Sequence, residues 1–254
     1  MRLWLPIIII AFFALSQLSF ASYSVVNLST QVTLNLNTSA SVREIVTVLL
    51  TNASINSYIT DRSALNLTLS DWQSIIGPTL TQHIINTKSG VHRFELLPGP
   101  VTTTITGRHI AQIIMLYDVY NVTSVVETAP RVFYYTFNNS VFNFQHELSG
   151  EVLPPNTALT IMLPAGARIT SIFPIPDSPA NLVTSNYTNS TALSWFNQEP
   201  LSKFTLSFTI RQSLQAEVLQ FFSGIYKALG IFTYVIIGVI VLVFIIYTYF
   251  KVEK

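Results

Sequence analysis

The sequence predicts a mainly β protein: an antiparallel β-sandwich region of one or two modules lying outside a membrane, followed by one C-terminal transmembrane helix. Three observations predict it. From residue 31 to residue 211, short runs rich in Val, Ile, Thr, Tyr and Phe are broken by turn residues at intervals of about ten, with no long helical pattern among them. Between Lys227 and Lys251 lie 23 residues without a charge. The chain opens with a short positive start and an apolar run, the build of an export signal.

The elements follow in order. Met1-Arg2, the apolar run Leu3 to Leu15 and the small residues flanking Phe20 in Ser19-Phe20-Ala21 predict a signal peptide over 1–21, cut after Ala21. A first β module is expected over 22–126. In "QVTLNLNT", Val32, Leu34 and Leu36 alternate with polar neighbours, the period of a half-buried strand, and "SVREIVTVLLTN" follows as a β-branched strand. "LSDWQSIIGP" predicts a short helix, with Ser70 and Gln73 at capping-box spacing, Trp72 as a packing anchor and Gly77-Pro78 as the stop. "VHRFELLPGPVTTTITG" predicts two strands around a Pro-Gly-Pro turn, and "GRHIAQIIMLYDVYNVTSVV" is apolar on both faces, as a central strand would be.

A seam is expected near Glu127 to Pro130, and a membrane-proximal β module over 127–212, with strands in "RVFYYTFNN", "TALTIMLP", "RITSIFPIP", "TALSWF" and "SKFTLSFTIR". Over 213–227 the period changes. Leu214, Val218, Phe221 and Phe222 share a helical face, predicting a juxtamembrane amphipathic helix, and Gly224 permits a bend. At about 1.5 Å per residue a helix over 228–250 would be roughly 34 Å long, enough to cross a hydrocarbon core of about 30 Å. Tyr226, Tyr234, Tyr247 and Tyr249 place amphipathic rings near its ends, and residues 251–254 form a cytoplasmic tail carrying Lys251 and Lys254 on the positive side. The expected location is the cell membrane, single-pass type I, with the bulk of the chain extracellular.

From Ser22 to Lys227 there are ten Lys and Arg against eleven Asp and Glu, a balance that offers nucleic acid nothing. There is no cysteine, so no disulfide staples the exported part, which points to a prokaryotic exporter. The acceptor pattern Asn-x-Ser/Thr occurs at Asn27, Asn37, Asn52, Asn66, Asn121, Asn138, Asn186 and Asn189. Eight matches stand against roughly three expected by chance from this composition, so these residues are the predicted N-glycosylation sites.

Chemistry is harder to find. The four histidines, His83, His92, His109 and His146, include no pair at the spacing of a helical zinc site, and His146-Glu147 lacks the second His of a zincin motif. There is no Gly-x-Ser-x-Gly elbow, P-loop or dinucleotide fingerprint. Glu44, Glu95, Asp118, Glu127, Glu147, Glu151, Asp177 and Glu199 read as solvated strand-edge charges or as partners of Arg43, Arg93 and Arg131, although two of them could meet as a glycosidase pair. No catalytic, cofactor or metal residue is predicted, and the chain is expected not to be an enzyme.

The run "YYTFNN", then "TALTIMLPAGARITSIFPIPD", "ALSWF" and "KFTLSFTIR" ahead of a span resembles the membrane-proximal β domain of archaeal, crenarchaeal-type single-pass cell-surface glycoproteins over roughly residues 130–250. A weaker likeness, in layout and in the opening "VTLNLNTSASVREIVTVLLTN", is to ribophorin I, a lumenal β-domain subunit of oligosaccharyltransferase. The first implies a non-catalytic surface protein in adhesion, envelope structure or surface assembly. The second implies an accessory subunit of a membrane enzyme complex, and a third reading is an extracellular carbohydrate-active enzyme. Expected partners are membrane lipid, attached glycans, and other surface or membrane proteins through the span and residues 213–227.

Overall fold

The computed structural model describes residues 23–64, 67–148, 150–178, 192–196 and 199–213, with isolated positions beyond. Its elements in chain order are β1 (Tyr23–Leu34), β2 (Ala40–Leu50), α1 (Ile55–Ser63), α2 (Leu69–Ile76), β3 (Val91–Pro98), β4 (Thr102–Thr103), β5 (His109–Val119), β6 (Thr123–Ala129) and β7 (Val132–Phe137). After a 3₁₀ turn at Asn139–Val141 come β8 (Gln145–Glu147), β9 (Gly150–Val152), β10 (Thr157–Met162), β11 (Arg168–Phe173), β12 (Ala192–Phe196) and β13 (Thr205–Arg211). The protein is mainly β, and its strands form more than one sheet.

Alternation in sequence becomes alternation in burial. Leu28, Thr30, Val32 and Leu34 of β1 are buried, as are Val42, Glu44, Val46, Val48 and Leu50 of β2 and Ala111, Ile113, Met115, Tyr117 and Val119 of β5. Each large apolar side chain taken out of water this way contributes about 1.5–3 kcal/mol. Register keeps the inward residues in rows across the sheet, so that Thr30, Glu44 and Met115 lie side by side.

The largest sheet has the order β12-β10-β1-β2-β5-β3, with β4 also on β5; a second runs β11-β13-β7-β6, and β8 pairs with β9. Two expectations are corrected here. The sheets are not purely antiparallel, because β1 and β10 pair in parallel, Leu28 beside Thr157 through Thr33 beside Met162. Nor does the expected seam near residue 127 divide the strands, since β1, β2 and β5 share one sheet with β10 and β12. Alternation tells which face a residue takes and carries no information about which strand, or which direction, lies alongside. The described residues do fall into two compact units, but differently: one takes the chain through Val126 and then Tyr134–Thr209, the other Glu127–Phe133 and the chain from Ile210 on. In the second unit the Arg131 carbonyl accepts the Gln212 N–H at 2.8 Å.

The helix expected around Trp72 is α2, with Trp72 and Ile76 buried, but its cap lies two residues earlier. Thr68 Oγ1 accepts the Asp71 N–H at 3.3 Å and Asp71 Oδ2 accepts the Thr68 N–H at 2.7 Å, a capping box that replaces the expected Ser70 and Gln73 pair. The Thr68 hydroxyl, which also donates to Asp71 Oδ2 at 2.7 Å, and then the Thr68 N–H favour the charged carboxylate and hold Asp71 below its usual range. Helix α1 has no counterpart in the sequence reading. Its one buried residue is Tyr58, which leaves too narrow an apolar stripe for periodicity to reveal.

The signal peptide over 1–21, the transmembrane helix over 228–250 and the tail over 251–254 fall on residues outside those described, or on isolated positions only, as does most of the juxtamembrane helix over 213–227. Among the described residues no helix is long and apolar enough to cross a membrane.

Candidate functional site

A carboxylate in the middle of a buried strand face needs a reason. Glu44 is fully buried, which corrects its reading as a solvated strand-edge charge. Taking a charge out of water costs several kcal/mol unless its lone pairs are met. They are met here by three donors. Glu44 Oε1 accepts the backbone N–H of His83 at 2.8 Å and the hydroxyl of Tyr117, while Oε2 lies 2.7 Å from His83 Nδ1. Tyr117 stays a donor because burial, and then the carboxylate beside it, pushes its phenol well above the ordinary tyrosine value. Its oxygen in turn accepts the Ile84 N–H at 3.3 Å.

The segment that delivers His83 is held on its other side by the strip following the 3₁₀ turn. Asn143 N–H donates to the His83 carbonyl at 2.8 Å, and Ile84 bridges to Phe142. The His83 ring stacks on Phe144 with centroids 5.1 Å apart. With Nδ1 facing a carboxylate oxygen, the tautomer is set by the network: Nδ1 carries hydrogen and Nε2 is turned to the other side of the ring.

His83 and Phe144 form part of the lining of a hollow of about 490 Å³. It opens beside the first half of β1, because the pairing with β10 begins only at Leu28 and leaves Val25 to Asn27 without that neighbour. Pro154, Asn156 and Gln145 border it, as do Thr79 and Thr81. A histidine oriented by a carboxylate can act as a general base when a hydroxyl nucleophile is hydrogen-bonded to it. Among the described residues no hydroxyl is bonded to His83 Nε2, so the dyad as seen orients a ring and closes a core. The remaining histidines lie in other settings: His92 packs on Tyr120, His109 Nδ1 is 3.1 Å from Thr103 Oγ1, and His146 is exposed on β8. Among the described residues no group of three or more His, Asp or Glu is placed to hold a metal ion.

Asp118 is paired with Arg93 at 2.8 Å, one of the ion pairs expected. Glu199 has its carboxyl raised by partial burial and then by the Asp177 charge. Glu151 accepts the Phe144 N–H at 2.6 Å, fixing the strip beside the hollow.

The sequon asparagines lie elsewhere on the surface, with one exception. Asn27, Asn37, Asn52, Asn121 and Asn138 are all exposed, and Asn27 also lines the hollow. Asn66, Asn186 and Asn189 lie outside the described residues. Asn37 Oδ1 accepts from the Ser39 hydroxyl at 2.7 Å, and Asn138 Oδ1 from the Ser140 hydroxyl at 2.8 Å, so in both the acceptor serine engages the carbonyl and leaves Nδ2 unbonded. Outside the pattern, Asn35, Asn86 and Asn143 each donate from Nδ2, to Ser39, Tyr120 and Gln82, while Asn56, Asn139 and Asn156 are exposed and make no such bond, so an unbonded amide goes with exposure and not with the sequon itself. Three sequons meet at one end of the large sheet, where Val122 N–H donates to the Thr38 carbonyl and Asn138 N–H to the Val122 carbonyl, each at 2.8 Å.

Sequence reasoning missed the Glu44, His83 and Tyr117 network. The signal was a carboxylate at the inward phase between Val42 and Val46.

No protein-family model matches the chain, and no curated protein matches it. Among solved structures, the NMR structure of the folded domain of LppM from Mycobacterium tuberculosis is similar at 10% identity and a TM-score of 0.28, covering 79% of this chain and 97% of that one.

Proposed function

We propose that this chain is a non-catalytic, N-glycosylated, single-pass type I surface protein whose extracellular β-sandwich region serves in adhesion, envelope structure or surface assembly. The observation that carries the reading is the excess of sequons, eight against roughly three expected from the composition. The oligosaccharide is joined to Nδ2, and every described sequon asparagine is exposed with that nitrogen making no hydrogen bond. The 23 uncharged residues ahead of Lys251 support the anchor, and the apolar start with its small-residue cleavage site supports export. Exposed β faces and attached glycans supply position and contact surface without chemistry.

The test is purification of the full chain in mild detergent from its native membranes, with mass spectrometry of glycopeptides and co-eluting proteins. Glycans on Asn37, Asn121 and Asn138, with the protein eluting alone or self-associated, support the reading. Bare asparagines at all of these sites, or a multi-span enzyme eluting in fixed ratio, would replace it with the accessory-subunit alternative.

A further inference from the structure

We infer that the hollow beside His83 is a binding site for a neutral sugar ring. This deepens the surface reading and rests on it for the source of the ligand, since glycans are what a chain so placed would meet. None of its lining residues is Lys, Arg, Asp or Glu, so a phosphate, carboxylate or ammonium group would find no opposite charge there. The histidine among them has one ring nitrogen committed to Glu44. The polar lining consists of amides and hydroxyls, among them Asn27, Gln145, Asn156 and Thr81. Side-chain amides and hydroxyls offer donors and acceptors in the same small space, which is what the alternating hydroxyls of a pyranose require and what a purely apolar ligand would leave unmet.

The rest of the lining is apolar and partly flat. Pro154, half-buried, gives a surface on which the C–H face of a sugar can lie, while Phe144 also borders the hollow, is itself buried, and is held in place by the stacked His83 ring that the buried carboxylate fixes. The Glu44 network therefore acts on the hollow indirectly, by positioning an aromatic wall. A volume of about 490 Å³ is within the usual range for small-molecule sites and accommodates one or two rings. Two sources share this chemistry: a glycan on Asn27, which is both exposed and part of the lining, and a glycan carried by another molecule.

The experiment is saturation-transfer NMR on the glycosylated full-length protein in mild detergent, with N-acetylglucosamine, mannose and chitobiose as neutral probes and glucuronic acid and glucosamine 6-phosphate as charged ones. Gln145 is exposed and its side chain makes no hydrogen bond in the fold, so Gln145→Ala tests the site without unfolding it. The expected result is transfer to at least one neutral probe and not to the charged ones, with Gln145→Ala weakening it about fivefold, the worth of one hydrogen bond. Ser29→Ala removes the Asn27 sequon and Ser29→Thr keeps it. Binding seen only in Ser29→Ala identifies the chain's own glycan as the occupant, and binding in both identifies an external one. Charged probes binding as well as neutral ones, no binding by any of the proteins, or a signal indifferent to Gln145→Ala overturns the inference. Occupied sequons together with absent sugar binding would remove this site and leave the surface reading standing; bare sequons would do the reverse.

Discussion

Three donors surround the buried Glu44 carboxyl, and the two that belong to side chains can be withdrawn separately. Tyr117→Phe removes one charge-assisted bond and is expected to lower stability by about 1.5–3 kcal/mol. His83→Ala strips the Nδ1 donor from the buried carboxyl and is expected to cost at least as much, about 1.5–3 kcal/mol. Urea unfolding followed by the fluorescence of Trp72 and Trp195, both fully buried, measures both; equal stability of the Tyr117→Phe protein and the parent would show that the bond contributes nothing. The same tyrosine predicts how the protein responds to alkali. Burial pushes the Tyr58 phenol up to about 12, where its hydroxyl donates to the Gly99 carbonyl at 2.9 Å, and Tyr117 is raised as well. A raised folded-state value means that the stability these groups give is complete below the unfolded value of about 10 and is lost as pH rises toward the folded one. From pH 10 upward stability should therefore fall by about 1.4 kcal/mol per pH unit for each proton released on unfolding, and Tyr58→Phe or Tyr117→Phe should flatten that slope. Half of this site was legible in the sequence. The inward phase of Glu44 follows from its neighbours, but His83 lies 39 residues away with no periodic relation to β2.

Among the elements, strands were read well wherever one face is buried. The alternation of Val32 and Leu34 and of β2, and the two-faced hydrophobicity of β5, which lies inside its sheet, were visible in the residues. But β1 runs from Tyr23 to Leu34 and leaves Leu36 exposed, and the segment read as one strand through Val126 divides into β5 and β6 in different sheets. Helix α1 was not, because a helix that buries one tyrosine leaves no stripe. The Pro-Gly-Pro turn was read as a turn, but not its tightness. Gly99 N–H donates to the Gln112 carbonyl at 2.7 Å, and a Cβ added at Gly99 would stand 2.8 Å from that same oxygen. Gly99→Ala must therefore push β3 away from β5, with an expected loss of about 1–3 kcal/mol. Thermal unfolding of the variant measures it, and an unchanged midpoint would mean that the turn yields freely. Gly150 is the second such place: its φ is +109° and an added Cβ would lie 2.7 Å from the Ser202 side chain.

For the molecule as a whole, the division expected near residue 127 has a direct consequence that the observed pairing reverses. If 22–126 were a module, a fragment of that length would fold; because β10 and β12 complete its sheet, the fragment should remain poorly dispersed in NMR spectra and sensitive to protease. A well-dispersed, protease-resistant fragment would restore the two-module arrangement. The sequence could not disclose this, since partner choice is a long-range property and β1 reads equally well as the mate of any neighbouring strand. The parallel pair also sets a timetable. Leu28 leaves the ribosome long before Thr157, and at synthesis rates of about 5–20 residues per second the interval is on the order of ten seconds. Throughout it, β1 can close against β2 on one side only. The first strand among the described residues is among the last to be enclosed, so slowing translation between β2 and β10 lengthens the time in which a wrong strand can take the vacant side.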